Sequence, residues 1–200
     1  MARKVTILGS TGSIGQNAVW VAERLQDTID VVGVAAGRNT QRVEEQAHRL
    51  GCSYAAVADD AYSQEFSDAL PSGCKPLCGV EGMIEMATAP EVDTVLCAVV
   101  GTAGLRPVIE AIKAGKDIAL ASKEILVMAG EMVAKAAAES GVKILPVDSE
   151  HAAVFQCLQG HAGEEVSRII LTASGGPFRE TPLEEMQEAD YENALAHPTW

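Results

Sequence analysis

Six short apolar runs recur along the chain: KVTIL, DVVGVAA, YAAVA, DTVLCAVV, DIALA and VKILPV. Stretches with apolar residues at helical spacing separate them. Strand and helix patterns that alternate in this way confine a chain to an α/β fold with a doubly wound, mainly parallel sheet. Only 4% of the residues are aromatic, so Val, Ile, Leu and Ala must build the core, as they do in parallel strands covered on both faces. One helix is expected from about Ile14 to Leu25, with Val19, Val21, Ala22 and Leu25 at apolar positions. NTQRVEEQAHRLG starts a second at Asn39 or Thr40 and ends it at Gly51. A polar helix reaches Leu70, PSGCKP reads as a loop and GVEGMIEMAT as a short helix. LRPVIEAIKAG and AGEMVAKAAAESG are helices closed by Gly115 and Gly141.

The pattern changes after Val147. EHAAVFQCLQG reads as a helix, VSRIILTAS as a strand, GGPFRETP as a loop and LEEMQEADYENALA as a polar helix. Two domains are expected: residues 1–147, and residues 148–200 as the beginning of a second α/β domain. The second is short for an independent core and stops at HPTW, so the chain is expected to be a piece of a longer protein.

Between the first strand and the first helix stand Gly9, Gly12 and Gly15. In a Rossmann-type βα turn Gly9 allows a sharp bend, Gly12 lets a ligand approach the backbone, and Gly15 lets the helix pack close to the sheet. Free N–H groups and the positive end of the helix dipole then face a pyrophosphate, with Thr11 and Ser13 as hydroxyl donors. The alternative is a tight turn without a ligand. Its place between a strand and a helix, in a repeating α/β chain, favours a dinucleotide. The second strand ends in Gly37, Arg38 and Asn39, without the carboxylate that binds a 2′-hydroxyl in NAD sites. Asp30 lies at that strand's other end. A guanidinium suits a 2′-phosphate, so NADPH is favoured over NADH; otherwise Arg38 is a solvated loop charge.

Ligands of open α/β sheets bind beyond the carboxyl ends of the strands. SKE (residues 122–124), DSEH (148–151) and SGGPF (174–178) all follow apolar runs and fall on that edge. In an extended segment Asp148 and Glu150 share a face, and two hard carboxylates suit Mg²⁺ or Mn²⁺. A helix cap by Asp148 or Ser149, with Glu150 in the first turn, accounts for the same residues. Lys123 suits an anionic or enolate oxygen and Ser174 a phosphate; a solvated lysine and a turn serine are the ordinary alternatives. His197 reads equally as a surface histidine.

The net charge of −13 argues against general nucleic-acid binding. No run is long enough to span a membrane or act as a signal peptide, and the five cysteines are odd in number without zinc-site spacing. Cys97 and Cys157 read as small buried hydrophobes. A reducing, cytoplasmic setting is expected.

Together TILGSTGSIG, AAGRN, LASKE, VDSEH, LTASGGPFR and HPTW resemble the 1-deoxy-D-xylulose 5-phosphate reductoisomerase family of the non-mevalonate isoprenoid pathway. The resemblance implies NADPH- and metal-dependent conversion of that phosphorylated sugar to 2-C-methyl-D-erythritol 4-phosphate, by a homodimer when full length. It implies that Thr11, Gly12, Ser13 and Ile14 contact the pyrophosphate and Gly37, Arg38 and Asn39 the 2′-phosphate. Ser122 and Glu124 join the cofactor contacts, although the family usually has Asn where Ser122 stands. Asp148 and Glu150 would bind metal. Lys123, Ser149, Glu150, Ser174 and His197 would serve the substrate, and Trp200 a closing flap. A third metal carboxylate and the phosphate ligands lie beyond HPTW in the family, so these 200 residues are expected to bind NADPH with little or no turnover. Two alternatives remain: another NADP-linked dehydrogenase, which would need a reactive cysteine, and a non-catalytic NADP-binding sensor.

Overall fold

The computed structural model describes residues 1–59, 64–171 and 176–196. Strands and helices alternate from the start: β1 (Arg3–Leu8), α1 (Ser13–Arg24), β2 (Ile29–Ala36), α2 (Thr40–Leu50), β3 (Tyr54–Val57) and α3 (Gln64–Ala69). There follow β4 (Lys75–Cys78), α4 (Gly79–Thr88), β5 (Thr94–Cys97), α5 (Leu105–Lys113), β6 (Asp117–Leu120), α6 (Lys123–Ser140) and β7 (Ile144–Pro146). The sheet runs β4-β3-β2-β1-β5-β6-β7 with every pairing parallel. The direction of winding reverses between β1 and β5, where Leu8 pairs with Cys97. Such a switch point opens a crevice at the carboxyl ends.

Side chains alternate across the sheet and split the core in two. Ile7 packs in one cluster with Val19, Val43 and Phe66 from α1, α2 and α3. Its neighbour Leu8 belongs to the other, with Met86, Val108 and Ile125 from α4, α5 and α6. Helices therefore cover both faces, as the doubly wound reading requires.

Three local expectations need correction within this body. KPLC, whose first two residues close the expected PSGCKP loop, is the edge strand β4, paired with β3 from Tyr54↔Lys75 to Val57↔Cys78, so the loop is shorter than expected and the sheet has seven strands and not six. Pro76 has no N–H to donate, and an edge strand needs only one ladder. The expected helix from Ala129 is only the trailing part of α6, which already starts at Lys123 and runs across a non-helical residue at Ala129 (φ −139°, ψ 25°). The SKE residues thus lie at a helix N-terminus and not in a loop.

The chain divides into two compact units, Met1–Asp148 and Ser149–Trp200. In the second, α7 (Ser149–Leu158) forms where EHAAVFQCLQG predicts a helix. The described part of VSRIILTAS, residues 166–171, is not a strand. A strand needs a hydrogen-bonded neighbour, and no other described segment of this unit is a strand; Ile169, Ile170 and Leu171 stand exposed. LEEMQEADYENALA breaks into a 3₁₀ turn at Glu185–Glu188 and α8 (Tyr191–Leu195). Asp190 caps α8 by accepting from Asn193 N–H at 2.8 Å, a role Asp favours over a helix interior. No helix among the described residues is long and apolar enough to cross a membrane.

Candidate functional site

The glycine turn grows directly out of β1. Gly9 and Ser10 N–H both donate to Ala35 O at 2.8 Å, and Ala98 N–H donates to Leu8 O at 2.8 Å. Gly9 has φ +88°, and a Cβ there would lie 2.6 Å from Ala98 O. Only glycine tolerates both conditions. At Gly15 a Cβ would lie 2.2 Å from Gly9 O, so the close packing that Gly15 permits is of α1 onto the turn itself. Gly12 is different: its Cβ would meet only Gly9 O, at 3.5 Å. Protein leaves that side open, as an approaching ligand requires. Gly12 is also the N-cap of α1 and supplies no side-chain cap. First-turn N–H groups, with Thr11, Ser13 and Ile14 around them, therefore remain for an anion. Gln16 Nε2 donates to Thr11 O at 2.6 Å and braces the turn.

Gly37, Arg38 and Asn39 follow the end of β2, and Asp30 lies near its start, as expected. Asn39 caps α2 by accepting from Arg42 N–H at 3.1 Å, so its oxygen serves the helix and its Nδ2 is the donor left for a ligand. The Arg38 side chain is 89% exposed and pairs with Asp59 at 3.3 Å. An exposed pair of this kind contributes at most about 1 kcal/mol and yields readily to a phosphate.

Across the switch point a cavity of about 190 Å³ is lined by Ile14, Val99, Ser122, Lys123, Glu124 and Asp148, among others. The first turn of α1 and Asp148 thus share one rim. Lys123 Nζ pairs with Asp148 at 3.5 Å. Ser122 is 5% exposed, and its hydroxyl donates to Val99 O, with Cys97 O at 3.4 Å. That hydroxyl holds the cavity wall, so a cofactor contact by Ser122 is not what its hydrogen bonds favour. A larger recess, about 990 Å³, opens at the amino edge of the sheet. Arg3 pairs there with Asp117, Asp93 accepts from the backbone N–H of Lys4, Glu91 accepts from the Tyr54 hydroxyl, and Lys116 Nζ donates to Pro90 O.

Ser149 and Glu150 belong to the first turn of α7. The extended segment on which the shared-face reading of Asp148 and Glu150 rests is therefore absent, because the chain has already turned helical. The described residues contain no group of three or more His, Cys, Asp and Glu able to hold a metal. Carboxylate oxygens suit a hard divalent cation, but these two make an incomplete shell. Ser174, His197 and Trp200 lie outside the described residues.

Cysteine chemistry separates two of the readings. Cys97 is buried, and burial raises its pKa. Burial also pushes Cys52 up to about 12 and Cys74 up to about 11. Cys157, expected to be buried, is exposed, because α7 buries none of its residues. Alkylation with iodoacetamide at pH 8 is expected to label Cys157 first and the buried Cys52 and Cys97 last, with NADPH binding retained throughout. Mass spectrometry against a binding titration checks the order. Rapid labelling of Cys97 would favour a cysteine-dependent dehydrogenase.

Residues 5–130 match the family model described as 1-deoxy-D-xylulose 5-phosphate reductoisomerase, and residues 144–200 match that of its C-terminal domain. Similar curated relatives include the reductoisomerases of Chlorobium phaeovibrioides, 50% identical over 200 residues, and Protochlamydia amoebophila, 47% identical over 198. These alignments take in 99% of this chain and 52% and 51% of those proteins, so the chain spans about half their length. Among solved structures, the reductoisomerase of Zymomonas mobilis in complex with NADPH superimposes with a TM-score of 0.88 at 41% identity, covering 99% of this chain and 52% of that one. A reductoisomerase in complex with NADPH, fosmidomycin and magnesium gives 0.82 at 36% identity, with the same coverage. The spans matched by the two family models take in the glycine turn, the SKE helix start and DSEH. The chain belongs to the 1-deoxy-D-xylulose 5-phosphate reductoisomerase family.

Proposed function

We propose that residues 1–147 form the NADPH-binding domain of a 1-deoxy-D-xylulose 5-phosphate reductoisomerase and that residues 148–200 begin its catalytic, metal-binding part. The observation that carries this reading is the single carboxyl edge. It bears an uncapped α1 behind the Gly9 turn, the exposed Arg38, and the cavity shared by Ile14, Lys123 and Asp148. Relatives solved with NADPH and magnesium support it.

In this reading the N–H groups of the α1 first turn hold the pyrophosphate, and Gly37, Arg38 and Asn39 hold the 2′-phosphate. The hydride comes from NADPH, and a divalent cation when bound polarises a carbonyl and its neighbouring hydroxyl during rearrangement of the carbon skeleton. Asp148 and Glu150 would hold that cation, Mg²⁺ or Mn²⁺. Lys123, at the cavity mouth, exchanges its pairing with Asp148 for a substrate oxygen. Glu124 flanks the cofactor end, and Ser122 fixes the Val99 carbonyl in the wall. Ser149, Ser174 and His197 contact the phosphorylated sugar. The complete enzyme is a cytoplasmic homodimer of the non-mevalonate isoprenoid pathway.

Fluorescence titration tests the cofactor half. Saturable NADPH binding, tighter than that of NADH, is expected; no binding, or equal affinity, overturns the reading. Two carboxylates hold a divalent ion weakly. The 200-residue chain is therefore expected to show little or no turnover with metal and substrate present, and a kcat on the order of 1–10³ s⁻¹ would refute that part.

A further inference from the structure

Gln46 is the only polar residue that α2 buries, alongside Val43 and Ala47. It is 3% exposed, and its Nε2 donates to Ser10 O at 3.0 Å. Ser10 is fully buried inside the glycine turn. The hydroxyl of Ser10 and the Oε1 of Gln46 find no hydrogen-bond partner among the described residues. A buried amide set among apolar neighbours is costly unless it holds something in place. What this one holds is the backbone of the turn that faces the pyrophosphate. The helix that carries it starts at Thr40 and is capped by Asn39, beside Arg38, at the other end of the same ligand. Gln46 therefore ties the two anion-binding segments together by side chain, across 36 residues of sequence.

We propose that Gln46 is a positioning residue for the dinucleotide: it holds the glycine turn at the distance from Arg38 and Asn39 that a ligand bound at both ends requires. This rests on the NADPH reading above. A ligand that engages one end only should be indifferent to it.

The test compares NADPH with 2′-AMP, which carries the 2′-phosphate alone, on the full 200-residue chain and its Gln46→Met and Gln46→Glu variants. Methionine keeps the length without a donor; glutamate turns an acceptor on the Ser10 carbonyl. Both variants should bind NADPH about tenfold more weakly and 2′-AMP within about twofold of the unsubstituted chain. Equal losses for the two ligands, or no loss, overturn the proposal, the first by showing a general loosening of the fold. NMR of the unsubstituted chain gives a second measurement that needs no variant. The Gln46 side-chain amide resonance should shift with NADPH and stay in place with 2′-AMP; an unmoved resonance with NADPH overturns the proposal. Failure of the unsubstituted chain to bind NADPH overturns the cofactor reading and this inference with it, whereas NADPH binding with unaffected variants overturns this inference alone.

Discussion

Gly15→Ala is expected to abolish high-affinity NADPH binding and to lower the melting temperature together. The added Cβ would sit 2.2 Å from Gly9 O and 2.6 Å from Ser10 Cα. Both are backbone atoms and cannot swing aside, so either α1 lifts away or the turn opens. Overpacking of this kind costs about 1–3 kcal/mol, and a chain of this size loses roughly 2–4 °C per kcal/mol. A reactive group displaced by about 1 Å in a preorganised site can cost on the order of 100-fold, and the pyrophosphate turn should respond on a similar scale. Gly12→Ala is the control. Its Cβ meets ordinary van der Waals distance within the protein, so it should melt normally and still bind NADPH poorly. Melting curves and titrations of the two variants check the contrast, and a Gly15→Ala chain with unchanged affinity would remove the turn from the cofactor site.

Arg38→Ala should separate the two nicotinamide cofactors. A hydrogen bond to a charged group contributes about 1.5–3 kcal/mol, which at about 1.4 kcal/mol per decade is a loss of roughly 10- to 150-fold in NADPH affinity. NADH, without a 2′-phosphate, should lose almost nothing. Stability should barely move, because the ion pair forfeited among the described residues is the exposed contact with Asp59. Arg38→Lys should recover part of the loss, since a lysine keeps the charge and gives up the planar fork. Equal effects on the two cofactors would place the 2′-phosphate elsewhere.

The parallel sheet and its glycine turn are legible in the sequence because period and punctuation both have local causes. Val19 and Ala22 recur at helical spacing, and Gly9 stands where only a positive φ lets the chain turn. The edge strand KPLC was not legible, because its register is set by β3 and Pro76 argues against a strand unless its edge position is known. The relation of Asp148 to Glu150 is not legible for a similar reason. Spacing two apart means a shared face only if the backbone is extended, and here it has already turned helical. Gln46 leaves a trace in the sequence: it stands three residues after Val43, on the very stripe that α2 buries. Ser122 shows the reverse, since nothing in SKE reveals that its hydroxyl is committed to Val99 O.

The break at Ala129 divides α6 mechanically. A continuous hydrogen-bonded ladder would act as a stiff rod, and any tug on Lys123 would lever against Val133 and Ala137. With the ladder interrupted, the leading segment is anchored in the core by Ile125 and the trailing segment separately by Val133 and Ala137. Adjustment at the rim is thereby uncoupled from the cohesion of the interior, and the lysine end of the helix can follow a ligand without drawing down the stability of the domain beneath it.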